Sequence, residues 1–251
     1  MEQWEDRGIV VSVRPHGENG AVVTLLTENH GRWAGYVHGG QGSKQRGTLQ
    51  TGNTVTADWQ ARVSDGLGQY RLELERAWPS LVFDSRRKLL ALQAACAVAD
   101  QTLPEREPCS AVTAGMDAFL ETLLAAEDVF LPAYIYWETG LLRALGFGLD
   151  LSCCALTGEE GNLAYVSPRT GRAATAAAAA VYKDKLLPLP PFLCGGGDWT
   201  AEDIRDGLDL TGYFLRHRVF AATHRDLPEP RLRFADAVAP EKLDTTAGSL
   251  P

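Results

Sequence analysis

The chain has 251 residues, 45% of them hydrophobic and 22% charged, with a formal net charge of −8. That is ordinary globular composition, with enough apolar material for a core that needs no disulfide or metal staple. The longest uncharged apolar run, near residues 89–99, is too short to cross a bilayer, and the opening MEQWEDRG lacks the apolar segment of a secretory signal.

Residues 8–13 (GIVVSV) are rich in β-branched side chains, and residues 14–20 (RPHGENG) form a turn cluster with the Asn-Gly pair of a hairpin. Strand character resumes at 21–27, breaks at Glu28-Asn29-His30-Gly31, and returns at 32–38. The stretch VHGGQGSKQRG, residues 37–47, then reads as a bare, basic, flexible loop. Residues 54–62 and 69–77 alternate with period two, placing Val55, Ala57 and Trp59 on one face and Tyr70, Leu72 and Leu74 on another. Five short strands with tight turns predict a small closed barrel of the kind an OB-fold requires.

Beyond Trp78-Pro79 the period changes to that of helices. Asp84 or Ser85 can cap a helix running to Gln101, and Ser110 can cap the next. Pro132 suits the first position of a helix over 133–145, stopped by Gly146 or Gly148. Residues 149–199 are loop-rich, and the alanine run at 173–180 reads as a short helix or packed turn. Thr200 with Asp203 resembles a capping box that starts a last helix from 201 to about 223. The expected division is therefore a barrel at 1–80, helices at 81–150, a loop region at 151–199, a C-terminal helix at 200–234, and a disordered tail at 235–251.

The acidity is unevenly distributed. Residues 7–76 hold eight Lys and Arg against six Asp and Glu, residues 77–130 hold four against eight, and residues 212–234 hold five against two. A locally basic barrel inside an acidic chain can still meet a polyanion. Arg14, His16, His30, Arg32, His38, Lys44 and Arg46 cluster around the first turns and the basic loop, with Trp33, Tyr36 and Trp59 as aromatic neighbours. OB-folds combine a basic groove with stacking aromatics in this way, although at least two of these three rings are expected to fill the barrel. The late basic set, Arg216, His217, Arg218, His224 and Arg225, reads either as a second anion or partner surface or as a solvated face.

Other chemistry is poorly represented. The loop at 37–47 lacks the Gly-Lys-Ser/Thr triple of a phosphate-binding P-loop. The five cysteines, Cys96, Cys109, Cys153, Cys154 and Cys194, form no Cys-x-x-Cys pair, so neither a structural zinc site nor any other cofactor is expected. Their odd number argues against a disulfide framework and for a reducing, cytoplasmic location. No hydrolase or protease motif is present, and no catalytic residue is assigned.

Several stretches together resemble one family. They are GIVVSVRPHGENG at 8–20, VVTLLT at 22–27, HGR at 30–32, LQTGN at 49–53, ETGLL at 138–142, LGFGLD at 145–150, CALTG at 154–158 and YVSPRTG at 165–171. Spread over residues 5–232, they resemble the RecO family of bacterial DNA repair proteins. The resemblance implies an N-terminal OB-fold, a helical domain and a zinc-finger-like insertion, here lacking all but one matching cysteine, Cys154. It implies binding to single- and double-stranded DNA, annealing of complementary strands, and cooperation with RecR in placing RecA on DNA coated by single-strand-binding protein (SSB), whose C-terminal tail some members bind. On that basis Arg14, Arg32, Lys44 and Arg46 are expected to contact phosphate, with His16 and His38 secondary. The loop at 39–47 would be a mobile flap, and Arg216, His217, Arg218 and Arg225 a second surface. The alternative is a protein-interaction adapter whose barrel touches no DNA.

Overall fold

The computed structural model describes residues 2–63 and 66–239, apart from the side chain of Lys44. The chain divides into two units: Met1–Leu124 with Pro228–Arg231, and Ala125–Leu227 with the remainder.

In the first unit, β1 (Glu2–His16), β2 (Gly20–Thr27), β3 (Gly31–Val37), β4 (Thr54–Ala61) and β5 (Gln69–Arg76) close into a barrel of order β1-β2-β3-β5-β4. This is the expected five-stranded OB-type barrel, but β1 starts six residues earlier than position 8, where its β-rich core begins. Its first half pairs with β4 and its second with β2, and a register shift between Val10 and Ser12 marks the bend. The early start is written in period two: Trp4 and Asp6 turn inward while Gln3, Glu5 and Arg7 turn outward. Asp6 masks the signal because a carboxylate is unexpected at an inward position. It is 6% exposed and accepts hydrogen bonds from Asn29 N (2.8 Å) and Asn29 Nδ2 (2.9 Å), with His30 Nδ1 at 2.8 Å. Burial pushes the Asp6 carboxyl up, but these bonds outweigh it and hold the group below its ordinary value.

The barrel interior is aromatic. Trp33 and Trp59 are buried, and the Trp4 ring stacks on Trp59 with centroids 5.4 Å apart. The Tyr70 hydroxyl donates to Trp33 O at 3.1 Å and Trp59 Nε1 donates to Leu67 O at 3.1 Å, whereas Trp4 Nε1 and Trp33 Nε1 are buried without a hydrogen-bond partner among the described residues.

The segment after β3 is folded rather than bare. Residues 43–46 form one helical turn, α1 (Ser43–Arg46). Gln41 Nε2 donates to Gly17 O (3.0 Å) and Gly20 O (2.9 Å), fastening the segment to the β1–β2 turn. At its other end Asn53 Nδ2 donates to Gly47 O (2.7 Å) and Thr48 O (3.0 Å). The expected flap is thus a short turn held at both ends by amide side chains, which composition alone does not reveal.

The same unit contains α2 (Trp78–Leu81), α3 (Arg86–Thr102) and α4 (Ser110–Thr122). The expected Ser85 cap is present, accepting from Lys88 N. Ala91, Ala94, Ala95 and Ala99 are buried, and such small residues let α3 lie close to its neighbours.

The second unit contains α5 (Glu127–Ala144), a three-stranded sheet of β6 (Leu163–Val166), β7 (Ala173–Thr175) and β8 (Leu187–Pro188), α6 (Ala176–Ala179), and α7 (Ala201–Phe214). Helix α5 begins at Glu127, so Pro132 lies inside it rather than at its first position. Proline leaves the carbonyl four residues earlier without a helical donor. That carbonyl, Asp128 O, accepts instead from Trp199 Nε1 at 3.1 Å. The alanine run is divided between β7 and α6. Helix α7 carries the complete Thr200–Asp203 capping box and continues through a π-helical turn at Leu215–Val219 and a 3-10 turn to Thr223. A final helix, α8 (Glu229–Ala237), takes in residues 235–237, which were expected to lie in the tail. Residues 240–251 of that tail lie outside the described residues.

Candidate nucleic-acid interface

Strand register determines which side chains share the outer face of the barrel. Arg14 is paired with Val22, and Val22 with Tyr36, so the three form a row across β1, β2 and β3. Tyr36 pairs in turn with Gln69, Gln69 with Gln60, and Gln60 with Gln3. The result is a belt around the barrel with a cation at one end, an aromatic ring in the middle and three amides at the other. Arg14 and all three glutamines are exposed, and Val22 and Tyr36 are half-buried.

Tyr36 is the best-positioned ring in this belt. Trp33 and Trp59 point inward, and Tyr36, at opposite parity to Trp33, points outward. Its phenol lies over Gly20, where a Cβ would overlap the ring. His16 and His38, both exposed, stand nearly perpendicular to it with centroids 5.9 and 4.8 Å away. Arg46 is exposed beside a shallow pocket of about 270 Å³ that includes Val13, Pro15 and Gln41, and it makes no ion pair among the described residues. The backbone of Lys44 is in the same turn.

The arginines are not equivalent. Arg14 is 72% exposed, with Asp100 Oδ2 3.3 Å from its Nη2, so its charge is partly countered yet reachable. Arg32 is only 17% exposed. Its Nε donates to Leu103 O at 2.8 Å, and its other nitrogens lie 3.6 Å from Asp100 Oδ1 and 3.3 Å from Glu105 Oε1. Arg32 therefore ties β3 to the end of α3, a role invisible in the sequence because its partners lie some 70 positions away. Arg7 is likewise held, by Glu28 (3.0 Å), Glu75 (3.2 Å) and Asp117 (2.8 Å).

Charge differs from face to face. Below the amide row on β1, β4 and β5, the next register row is Glu5, Asp58 and Arg71, followed by Arg7, Thr56 and Glu73. These two rows mix Glu5, Asp58 and Glu73 with Arg71 and Arg7, while Arg14, His16, His38 and Arg46 mark the β1–β2–β3 side. Sequence reasoning found these four residues and missed the three glutamines. Their signal was the shared outward parity of Gln3, Gln60 and Gln69.

In the second unit the late basic residues are divided in their roles. Arg216 Nε lies 2.6 Å from Asp226 Oδ1, and Arg218 Nη2 donates to Arg169 O at 2.5 Å and Pro168 O at 3.3 Å. These two hold loops. His217 packs on Tyr213 at 4.3 Å, and the Arg225 side chain is exposed and without a partner among the described residues.

The zinc-finger-like segment does not fit a metal. Cys154 is buried, and its sulfur accepts from Thr175 N at 3.4 Å. Thr157 stands where a second Cys-x-x-Cys ligand would be, and its hydroxyl, with the backbone N–H groups of Thr175, Leu156 and Thr157, holds the Cys154 thiol down at about 6. Among the described residues no group of three or more His, Cys, Asp or Glu is placed to hold a metal ion.

A closed OB-type barrel bearing a cationic and aromatic outer face, followed by a helical unit with a small sheet, defines the class of this protein. Family models described as "Recombination protein O N terminal" and "Recombination protein O C terminal" match residues 1–76 and 84–227. The chain is 47% identical over 251 residues to the DNA repair protein RecO of Rhodospirillum centenum, covering 99% of both chains. It is 47% identical over 242 residues to that of Rhodospirillum rubrum, covering 94% of this chain and 96% of the relative. For the Caulobacter vibrioides protein (strain NA1000) the values are 45% over 238 residues, 94% and 98%. The chain belongs to the RecO family of DNA repair and recombination proteins. Among the described residues no helix is long and apolar enough to cross a membrane.

Proposed function

We propose that the chain is a cytoplasmic recombination mediator without covalent chemistry of its own. It binds single- and double-stranded DNA on the β1–β2–β3 side of the barrel, anneals complementary strands, and acts with RecR to place RecA on SSB-coated DNA. The observation that supports this reading most directly is the row Arg14–Val22–Tyr36, flanked by His16, His38 and Arg46. Exposed cations contact phosphate, and an outward ring offers a π-face to a base. Family membership supports the repair role. Arg14, Lys44 and Arg46 are the phosphate contacts in this reading, with His16 and His38 beside them; Arg32 positions α3 against β3. In the second unit, Arg225 and His217 remain for an acidic partner such as the SSB tail.

Fluorescence anisotropy with a labelled oligonucleotide at 50 and 200 mM salt tests the interface, and annealing of complementary strands with and without SSB tests the activity. Salt-sensitive binding and accelerated annealing are expected. Absence of binding at both salt concentrations would leave the adapter reading in its place.

A further inference from the structure

Strands β3 and β5 are joined at a single pair, Tyr36 with Gln69, reinforced by Tyr36 N–H donating to Gly68 O at 3.0 Å. β3 ends one residue later at Val37, while β5 runs on to Arg76 without a further β3 partner. The gap borders a cleft of about 630 Å³ in the barrel wall, lined by His38 and Gln45, by Gln60 and Gln69, by the charged row Glu5, Asp58 and Arg71, and by Trp59 and Tyr70. That volume lies within the usual range of small-ligand sites.

The lining suits a particular kind of occupant. Each glutamine carries both a donor and an acceptor, so the amides can pair with a planar heterocycle whose edge alternates the two. The cleft adjoins the centre of the outer belt: His38 lines it, and the Tyr36 ring, outside the lining, stands 4.8 Å from His38 beside its mouth. Arg14, at the far end of the row, is two strand spacings from Tyr36, about 10 Å away. A phosphate held there and a base held at Tyr36 can belong to one strand. From Arg14 to Gln3 the belt takes five strand-to-strand steps of about 4.8 Å, or about 24 Å. That accommodates about 7 nucleotides at a stacked rise of about 3.4 Å, and fewer when extended. The footprint falls within the roughly 4–16 nucleotides that one OB barrel covers.

We propose that the β3–β5 cleft docks one unpaired nucleobase of a bound single strand, with Tyr36 and His38 as stacking rings and Gln45, Gln60 and Gln69 as amide partners. The inference rests on the DNA-binding reading and adds to it a means of telling single strands from duplex. In a duplex the base edges are already paired and the base stays in its stack, so duplex DNA meets only the cations.

The test compares three ligands of equal length on the full chain: an oligo-dT, an abasic oligonucleotide with the same backbone, and a duplex. The wild type is expected to bind oligo-dT about tenfold more tightly than the abasic strand, the order of one stacked base. Tyr36→Ala should reduce that ratio to about one while leaving abasic and duplex affinities unchanged. Gly20→Ala should weaken the preference with the ring still present, because a methyl group there displaces the phenol. Gln60→Ala with Gln69→Ala should lower oligo-dT binding alone. Unchanged thermal melts show that the exposed substitutions leave the fold intact. If Tyr36→Ala leaves the ratio as it was, or lowers all three affinities together, the base-docking proposal is overturned and the DNA-binding reading stands. If the wild type binds none of the three, both fall.

Discussion

The phosphate-contact assignment yields a number. Arg14, Lys44 and Arg46 are the lysine and arginine positions assigned to phosphate on the β1–β2–β3 side, since Arg32 is held by Leu103, Asp100 and Glu105. Each phosphate contact to a single strand contributes about 0.7 to the slope of log K against log salt. Three contacts give a slope near −2.1, so raising salt from about 50 to 200 mM should weaken binding about 18-fold. Replacing Lys44 and Arg46 with alanine leaves Arg14 alone, and the slope should fall to about −0.7, a loss of only about 2.6-fold over the same range. Anisotropy titrations of a short oligo-dT at four salt concentrations measure both slopes. If the variant's slope matches that of the wild type, the turn at Ser43–Arg46 does not meet phosphate. A wild-type slope much steeper than −2.1 would mean that further cations take part and that the division between free and internally paired arginines is misdrawn.

Three further outcomes follow from specific contacts. Asp100→Asn removes the countercharge 3.3 Å from the exposed Arg14 guanidinium, a solvent-screened pair worth about 1 kcal/mol, so single-strand affinity should rise about fivefold in the same assay. The same change weakens the support of half-buried Arg32 and should lower the thermal midpoint, so affinity and stability move in opposite directions. Asp6→Asn should cost about 2 to 3 kcal/mol at pH 7 in urea unfolding, because the donors at Asn29 and His30 lose a charged acceptor. The folded pKa of Asp6 is depressed, so the unfolded chain takes up its proton first as pH falls. That part of the wild-type stability is present above the unfolded value near pH 4 and is lost as pH falls through the lower folded value. Asp6→Asn should show a flatter acid limb. Finally, thiolate absorbance near 240 nm should rise with a midpoint near pH 6 in the wild type and lose that transition in Cys154→Ser, whereas burial pushes Cys96 up to about 12.

The sequence was most informative where local period and burial agree. β-rich runs between turns located the first three barrel strands and alternation the last two, while the faces of Trp33 and Tyr36 were settled only by the fold, which puts Trp33 inside and Tyr36 outside. The Ser85 and Thr200 caps were legible because capping is a local hydrogen bond. What escaped was set by partners distant in sequence. Glu2–Arg7 reads as an acidic lead-in until Asn29 and His30 are seen to satisfy Asp6. Arg32 reads as a surface cation until Leu103 and Asp100 appear beside it. The loop at 39–47 reads as flexible because nothing in its composition shows that Gln41 and Asn53 will fasten it. The glutamine row was hidden for a related reason: three neutral residues spread over 67 positions become neighbours only through barrel closure.

The small sheet of the second unit holds a buried thiol by hydrogen bonds alone. A zinc knuckle orients backbone N–H groups toward a thiolate, and the ion supplies the positive charge that stabilises it. Here the N–H groups remain without a ligand set, and Cys154 accepts from Thr157, Thr175 and Leu156 instead. The hydroxyl of Thr157 serves the same sulfur. Around it the chain closes with direct pairing: Ala155 N–H donates to Ala173 O at 2.8 Å and Gly158 N–H to Cys154 O at 2.8 Å. Cys154 packs with Ala174 and Ala179, so the alanine run supplies the apolar filling of a small core. The run thus does more than fill space: small side chains let the β7–α6 segment approach closely enough for its own backbone to satisfy the sulfur.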